Sequence, residues 1–264
     1  MKLDNKRILL TGASSNLGQD LALALAAKGA RLYLVGRNEQ ALLALQRRLP
    51  DSGHHNILLA DLCNEQDLDA LAECFPENAR LDVLINNTDT STFSSFNDQS
   101  HDTIRQQLML NTEAPILLTH ALLGCINTPG IIMNIGSTLD GIGYPGYSVY
   151  CASKFALRGF SEALHRELSS KGVKVLHLAP RAVDAKGNTS TASRLIQELG
   201  YRSDRPDWVA DRVVNALERE TLRQWLGWPE KVFVALNALL PNVVDKAIRR
   251  QLAVIQRYIT LPKK

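Results

Sequence analysis

Arg7-Ile8-Leu9-Leu10-Thr11-Gly12-Ala13-Ser14-Ser15-Asn16-Leu17-Gly18 runs from a short apolar stretch into a glycine-bearing turn and straight on into a helical pattern. An apolar run of this length closed by such a turn reads as a buried strand followed by a helix. A glycine-bearing turn at a helix N-terminus presents unpaired amide N–H groups and the positive end of the helix dipole, which together bind a pyrophosphate. Gly12, Ser14, Ser15, Asn16, Leu17 and Gly18 are therefore candidate cofactor-binding residues. Alone, the motif is weak, since many such turns bind nothing. Asn16 stands where a middle glycine is usual, and Asn enters the left-handed region at modest cost, so the turn is expected to survive the change.

The same alternation continues outward from this stretch. Strands are predicted at Arg7 to Thr11, Arg31 to Val35, Asn56 to Leu59, Val83 to Asn86, Gly130 to Ile135 and Lys174 to Leu178. Helical spacing fills Ser15 to Lys28, Asn38 to Leu49, Glu65 to Cys74, His101 to Leu123 and Tyr147 to Ser170. Repeated strand-to-helix units predict an α/β fold with a doubly wound parallel sheet, whose ligands bind outside the carboxyl edge. No linker or repeat divides the chain, so one domain is expected. Beyond Pro180 the alternation stops. Arg181 to Arg205 reads as a flap with a short helix near Thr191 to Leu199, followed by a helix from Pro206 to Arg219 and a last strand near Arg223 to Leu226.

The chain has 264 residues, of which 45% are hydrophobic and 22% charged, an ordinary soluble composition that excludes disorder, collagen and coiled coil. A net charge of +3 is too balanced for a general nucleic-acid binder. Its distribution is uneven. Between Pro241 and Lys264 six basic residues face only Asp245, so this segment carries +5 and the rest of the chain −2. Cys63, Cys74, Cys125 and Cys151 form no CxxC pair and lie at no metal-ligand spacing, so no metal site or disulfide framework is expected, and a reducing cytoplasmic compartment fits best. No secretory leader is expected, and no uncharged apolar run approaches the roughly 20 residues that cross a bilayer.

Tyr150-Cys151-Ala152-Ser153-Lys154 lies inside a predicted helix. Positions i and i+4 share a helix face, so the phenol and the ammonium are neighbours. A nearby cation favours phenolate and should draw the tyrosine down from about 10 towards neutrality, giving a usable general acid and base. The bland reading of YxxxK alone is an exposed helix pair.

Several patterns in their order make the chain resemble the short-chain dehydrogenase/reductase family over about residues 5 to 230. The Thr11 to Gly18 turn looks like the family's TGxxxGxG motif. Asp61-Leu62 follows the third strand, where the family has an acidic residue beside the adenine, and Asn86-Asn87-Thr88-Asp89 resembles its NNAG. Asn111, Ser137, Tyr150 and Lys154 stand where the family has its catalytic tetrad. The resemblance implies a Rossmann-type, mostly parallel seven-stranded sheet in a domain over residues 1–228, with residues 229–264 as a helical extension of it. It also implies an oxidoreductase interconverting a carbonyl and an alcohol, in a homodimer or homotetramer. Tyr150 would exchange the proton while hydride moves to or from the nicotinamide. Lys154 would hold the nicotinamide ribose, Ser137 the substrate oxygen, and Asn111 a relay water. Asn87, Pro180 and Val183 would line the cofactor.

Cofactor choice is read at the end of the second strand, where an acidic residue accepts the ribose hydroxyls of NAD and a basic one pairs the 2′-phosphate of NADP. Leu34-Val35-Gly36 offers no carboxylate and Arg37 follows, so NADP(H) is expected over NAD(H). The bland reading makes Arg37 a solvated first-turn residue. Three further departures mark the site: Asp89 for the glycine of NNAG, Arg181 after Pro180, and Ala185 where a threonine is frequent. They motivate a rival reading, a cofactor-sensing protein with weak turnover. In the tail, Val232, Leu236, Leu240, Val243, Val244, Ala247 and Ile248 follow helical spacing, and Pro241 is expected to split the stretch in two. The favoured reading has these helices roofing the substrate cleft or meeting a second subunit; the other lays a basic amphipathic surface on an anionic membrane. With Leu139, Ile142, Tyr144 and Tyr147 near the site, an apolar or acyl-like substrate is expected.

Overall fold

The central strands carry apolar runs such as Ile8 to Leu10, Val83 to Ile85 and Ile131 to Met133 because both faces of the sheet are covered. The computed structural model describes residues 1–183 and 190–260. Among them lie β1 (Arg7–Thr11), β2 (Arg31–Gly36), β3 (Asn56–Leu59), β4 (Leu81–Asn86), β5 (Ile126–Ile135), β6 (Val173–Ala179) and β7 (Arg223–Trp225). They form one seven-stranded sheet in the order β3-β2-β1-β4-β5-β6-β7, with every neighbouring pair parallel. The order reverses between β1 and β4, so the crevice expected to take a ligand opens at the carboxyl ends of these two strands.

Side chains alternate between two cores, as the two-residue period of a strand demands. Ile8 and Leu10 of β1, Val83 and Ile85 of β4, and Ile131 and Met133 of β5 pack on one face. There they meet Leu21 and Leu25 of α1 (Asn16–Ala26), Leu42 and Leu45 of α2 (Glu39–Gln46), and Val209, Val213 and Leu217 of α8 (Pro206–Arg219). Leu9, Leu84 and Ile132 pack on the other, against Leu68 and Leu71 of α3 (Glu65–Glu73), Leu118 and Leu122 of α5 (Ala114–Leu122), and Leu168 of α6 (Ser148–Leu168).

Two departures from the sequence reading concern the site. The long middle helix is not uniform: α4 (His101–Leu108) passes into α5 through a π turn over Met109–Glu113, which contains Asn111. Such turns insert one extra residue and gather at functional sites. Asn16 does not take the left-handed conformation. The positive φ falls on Gly12, at 62°, while Asn16 is the first residue of α1 and lies exposed, a position that Asn fills without strain.

Pro241 does divide the tail. α9 (Glu230–Leu239) lies on the segment after β5, where Val234 packs against Gly141 and the Asn237 amide donates to the Gly141 carbonyl at 2.9 Å. α10 (Pro241–Ile259) crosses to α7 (Thr191–Glu198), where Arg257 and the Tyr258 hydroxyl both bond the Glu198 carboxylate, at 2.6 and 2.5 Å. The tail therefore covers the carboxyl side of the sheet with its inner face. Ala185, Lys263 and Lys264 lie outside the described residues.

Candidate active site

The turn after β1 is built on close backbone approaches. Ser15 caps α1 by accepting from the Gly18 amide at 3.0 Å. A Cβ at Gly18 would stand 2.1 Å from the Gly12 carbonyl oxygen, and one at Gly12 would stand 3.0 Å from Thr88 Oγ1. Thr11 ties the two central strands together: its hydroxyl accepts from the amides of Asn87 and Thr88, at 2.9 and 3.1 Å, and its carbonyl accepts from Asn87 Nδ2 at 3.1 Å. The Thr88 hydroxyl is buried beside this turn with no partner, an unsatisfied group of the kind a ligand completes. These residues fit a dinucleotide: Gly12, Ser14, Ser15, Asn16, Leu17 and Gly18 make the helix-start cradle, with Asn87 at its floor.

Arg37 and Asp61 stand at the ends of β2 and β3, Nη1 and Oδ2 lying 3.8 Å apart with both side chains exposed. Asp61 also accepts from the Cys63 amide at 3.0 Å, which fixes the carboxylate at the rim, and the adjoining Leu62 is buried. The Pro180 carbonyl accepts from the Thr138 amide at 3.0 Å, and Val183 forms an isolated parallel bridge with Asp204. Arg181 turns away from the cofactor edge. It ion-pairs with Asp204, which is nearly fully buried, and lies 3.6 Å from Glu230, so the residue that replaces a glycine pins the segment after β6 to the start of α9.

Ser137 follows β5 in extended backbone and starts a short turn as a capping box. Its hydroxyl accepts from the Leu139 amide at 3.2 Å, and its own amide donates to Asp140 Oδ2 at 3.3 Å. Asp140 is fully buried: Oδ2 lies 2.7 Å from His177 Nε2, and Oδ1 accepts from the Trp225 indole at 2.9 Å. Behind His177, Ser161, Asn134 and Asn86 continue the polar chain. Reading the sequence did not find this network, although Ser137-x-x-Asp140 has the capping-box spacing that signals its first link.

Tyr150 and Lys154 share one face of α6, with Nζ 5.6 Å from the phenol ring centre. Lys154 is only 2% exposed and donates to the Ile135 carbonyl at 3.3 Å. Its ion-pair partner is Asp89, 3.0 Å away, and the same carboxylate oxygen accepts from the Tyr150 hydroxyl at 3.1 Å. This arrangement corrects the expectation of a phenol drawn towards neutrality. Enclosure of the phenol first, and the Asp89 carboxylate second, hold Tyr150 well above its ordinary value, while a side-chain hydrogen bond with Ser137 works in the opposite direction. Asp89, which the sequence marks only as a departure from NNAG, is thereby brought onto the Tyr150–Lys154 pair. Its signal was a carboxylate in a glycine's place.

Asn111 is buried, and both ends of its amide are bonded. Oδ1 accepts from the Thr90 amide at 2.8 Å, and Nδ2 donates to the Thr90 carbonyl at 2.8 Å and to the Ser153 hydroxyl at 3.0 Å. The side chain thus fastens the Asp89 loop to α6. Above the phenol, Tyr147 and Phe93 form an aromatic wall, with ring centres 5.7 Å from Tyr150 to Tyr147 and 5.0 Å from Tyr147 to Phe93. Burial pushes the Tyr147 phenol up to about 12. Gly146, at φ 86°, faces both Phe93 and Ile259 from the end of α10.

A family model described as short chain dehydrogenase matches residues 6–195. The uncharacterized oxidoreductase YxnA of Bacillus subtilis (strain 168) is 31% identical over 259 residues, covering 94% of this chain and 73% of that protein. Dehydrogenase/reductase SDR family member 7B of Mus musculus is 34% identical over 189 residues, covering 67% of this chain and 58% of that protein, so the chain spans less than two thirds of this relative. Among solved structures, a short chain dehydrogenase from Burkholderia cenocepacia J2315 in complex with NADP aligns with a TM-score of 0.79 at 25% identity, over 88% of this chain and 100% of that one. The chain belongs to the short-chain dehydrogenase/reductase family and is an NAD(P)-dependent oxidoreductase.

Proposed function

We propose that the protein interconverts a carbonyl and an alcohol on an apolar or acyl-like substrate, using NADP(H) in preference to NAD(H), with Tyr150 as general acid and base. The observation that carries this reading is the meeting of Tyr150, Lys154 and Ser137 at the carboxyl edge of the sheet, beside the cradle after β1. Bound there, the nicotinamide supplies or accepts hydride. Tyr150 gives its proton to the carbonyl oxygen or takes one from the alcohol. Ser137, held by Asp140, donates a fixed neutral hydrogen bond to the same oxygen. Arg37, with Asp61 beside it, supplies the guanidinium for a 2′-phosphate. Pro180 and Val183 border the nicotinamide end, and the aromatic wall with Ile259 supports an apolar substrate.

A homodimer or homotetramer in the cytoplasm, with residues 229–264 acting as part of the single domain, completes the reading. NADPH and NADH oxidation against a panel of alkyl ketones and aldehydes of rising length tests it, with Tyr150→Phe as control. Expected are NADPH turnover that grows with chain length and its loss in Tyr150→Phe by about 10²- to 10⁴-fold. NADPH binding without turnover on any carbonyl would favour a cofactor sensor.

A second reading places the tail's outer face on an anionic membrane. Trp228 is 70% exposed and Leu239 79%, with Leu240 and Val243 beside them and Lys246, Arg249 and Arg250 on the same helix pair. Flotation with anionic liposomes, lost in Leu239→Glu/Val243→Glu, would support it.

A further inference from the structure

A buried lysine needs a counter-charge, and here that charge also touches the reacting phenol. Asp89 Oδ2 lies 3.0 Å from Lys154 Nζ and accepts from the Tyr150 hydroxyl at 3.1 Å. Lys154 is sealed from water, whereas the Asp89 side chain is 41% exposed, so the pair is inserted from the solvent side. The cation that should draw a proton off Tyr150 is thus compensated by an anion in direct contact with the phenol. Formation of phenolate would set two negative oxygens against one another, a juxtaposition that disfavours ionisation of the second. The other groups facing the phenol do not reverse this. Ser137 from the segment after β5 is neutral, and Tyr147 from the start of α6 is held protonated by burial.

We propose that Asp89 is a further catalytic residue, the carboxylate that keeps the Tyr150 phenol protonated across the neutral range and so moves the break in the enzyme's pH profile into alkaline conditions. This rests on the carbonyl–alcohol reading given above. Carbonyl reduction, which uses the phenol, then stays level through neutral and mildly alkaline pH. Alcohol oxidation, which uses the phenolate, climbs about tenfold per pH unit over the same range. In a glycine-bearing relative the break falls lower.

The test is the titration of Tyr150 itself in the protein without cofactor. Tyrosines labelled with ¹³C at Cζ are followed by NMR, the Tyr150 signal being the one lost in Tyr150→Phe. In Asp89→Asn, which keeps the shape and removes the charge, the Tyr150 titration is expected to move down by about one unit or more, and the breaks in both rate profiles to move with it. Asp89→Gly serves as the second variant and is expected to shift the same way, so the outcome does not hang on one folded protein. A Tyr150 signal that titrates in both variants where it does in the parent overturns the proposal. A titration that moves while no carbonyl is turned over with either nicotinamide cofactor upholds Asp89's control of the phenol and rejects the carbonyl–alcohol reading.

Discussion

The fully buried carboxylate of Asp140 lies 2.7 Å from the imidazole of His177, and it simultaneously holds the backbone of Ser137. Asp140→Ala leaves His177, the Trp225 indole and the Ser137 amide without their acceptor. Loss of one member of a buried pair costs about 3–5 kcal/mol, so the urea midpoint is expected to fall accordingly. Asp140→Asn, which retains an acceptor oxygen, is expected to cost less. In both, kcat/KM should drop on the order of 10- to 100-fold as Ser137 loosens. An unchanged kcat/KM in a folded Asp140→Asn would separate this network from Ser137's function.

Gly18→Ala brings a Cβ to 2.1 Å from the Gly12 carbonyl oxygen and 2.9 Å from the Ala13 Cα, both backbone atoms that cannot step aside. Overpacking of this kind costs about 1–3 kcal/mol. The expected result is a lower Tm together with a reduced Tm gain on adding NADPH, because α1 and the turn must separate. A full NADPH-induced gain would show that the cradle tolerates displacement.

Arg37→Ala removes the guanidinium at the rim of β2. A hydrogen bond to a charged group contributes about 1.5–3 kcal/mol, so the KM for NADPH is expected to rise about tenfold or more while that for NADH changes little. Because Arg37 also faces Asp61, steady-state measurements with both cofactors in Asp61→Asn check that the effect belongs to the phosphate and not to the ion pair. Equal losses for both cofactors would remove Arg37 from cofactor choice.

Glu220 is held below the ordinary carboxylate range, first by its bond to Lys174. A depressed folded-state pKa means that the unfolded chain binds the proton more readily, so the stabilisation is present above the unfolded value and lost as pH falls through the folded one. Glu220→Gln should therefore lower stability at pH 7 by about 0.5–1 kcal/mol, the size of a partly exposed ion pair, and by less near pH 3. Chemical denaturation at the two pH values reads the difference.

The doubly wound parallel architecture was legible because short apolar runs alternate with helical patterns, and the pairing of Tyr150 with Lys154 because one helical turn separates them; the order of the strands was not. The resemblance of ordered motifs singled out Asn111, Ser137 and Asn87 as candidates. The rest depended on packing between distant segments. Asp89 reaches Lys154 only because Asn111 fastens its loop to α6 through Thr90. Asp140 meets His177 only because β5 and β6 are neighbours in register, with Asn134 opposite His177. Local pattern gives no warning of either. It also misplaced the left-handed residue of the first turn, since Asn and Gly are both permitted there and only the backbone path selects Gly12.

Gly146 gathers three remote parts of the chain: its own loop, Phe93 and Ile259 of the last helix. None of these carries the proton or the hydride. On the function proposed above, what enters the pocket would be redirected by exchanging residues at the tip of α10 while the reaction centre beneath is left as it was. On that reading, selectivity and chemistry are written in different parts of the sequence.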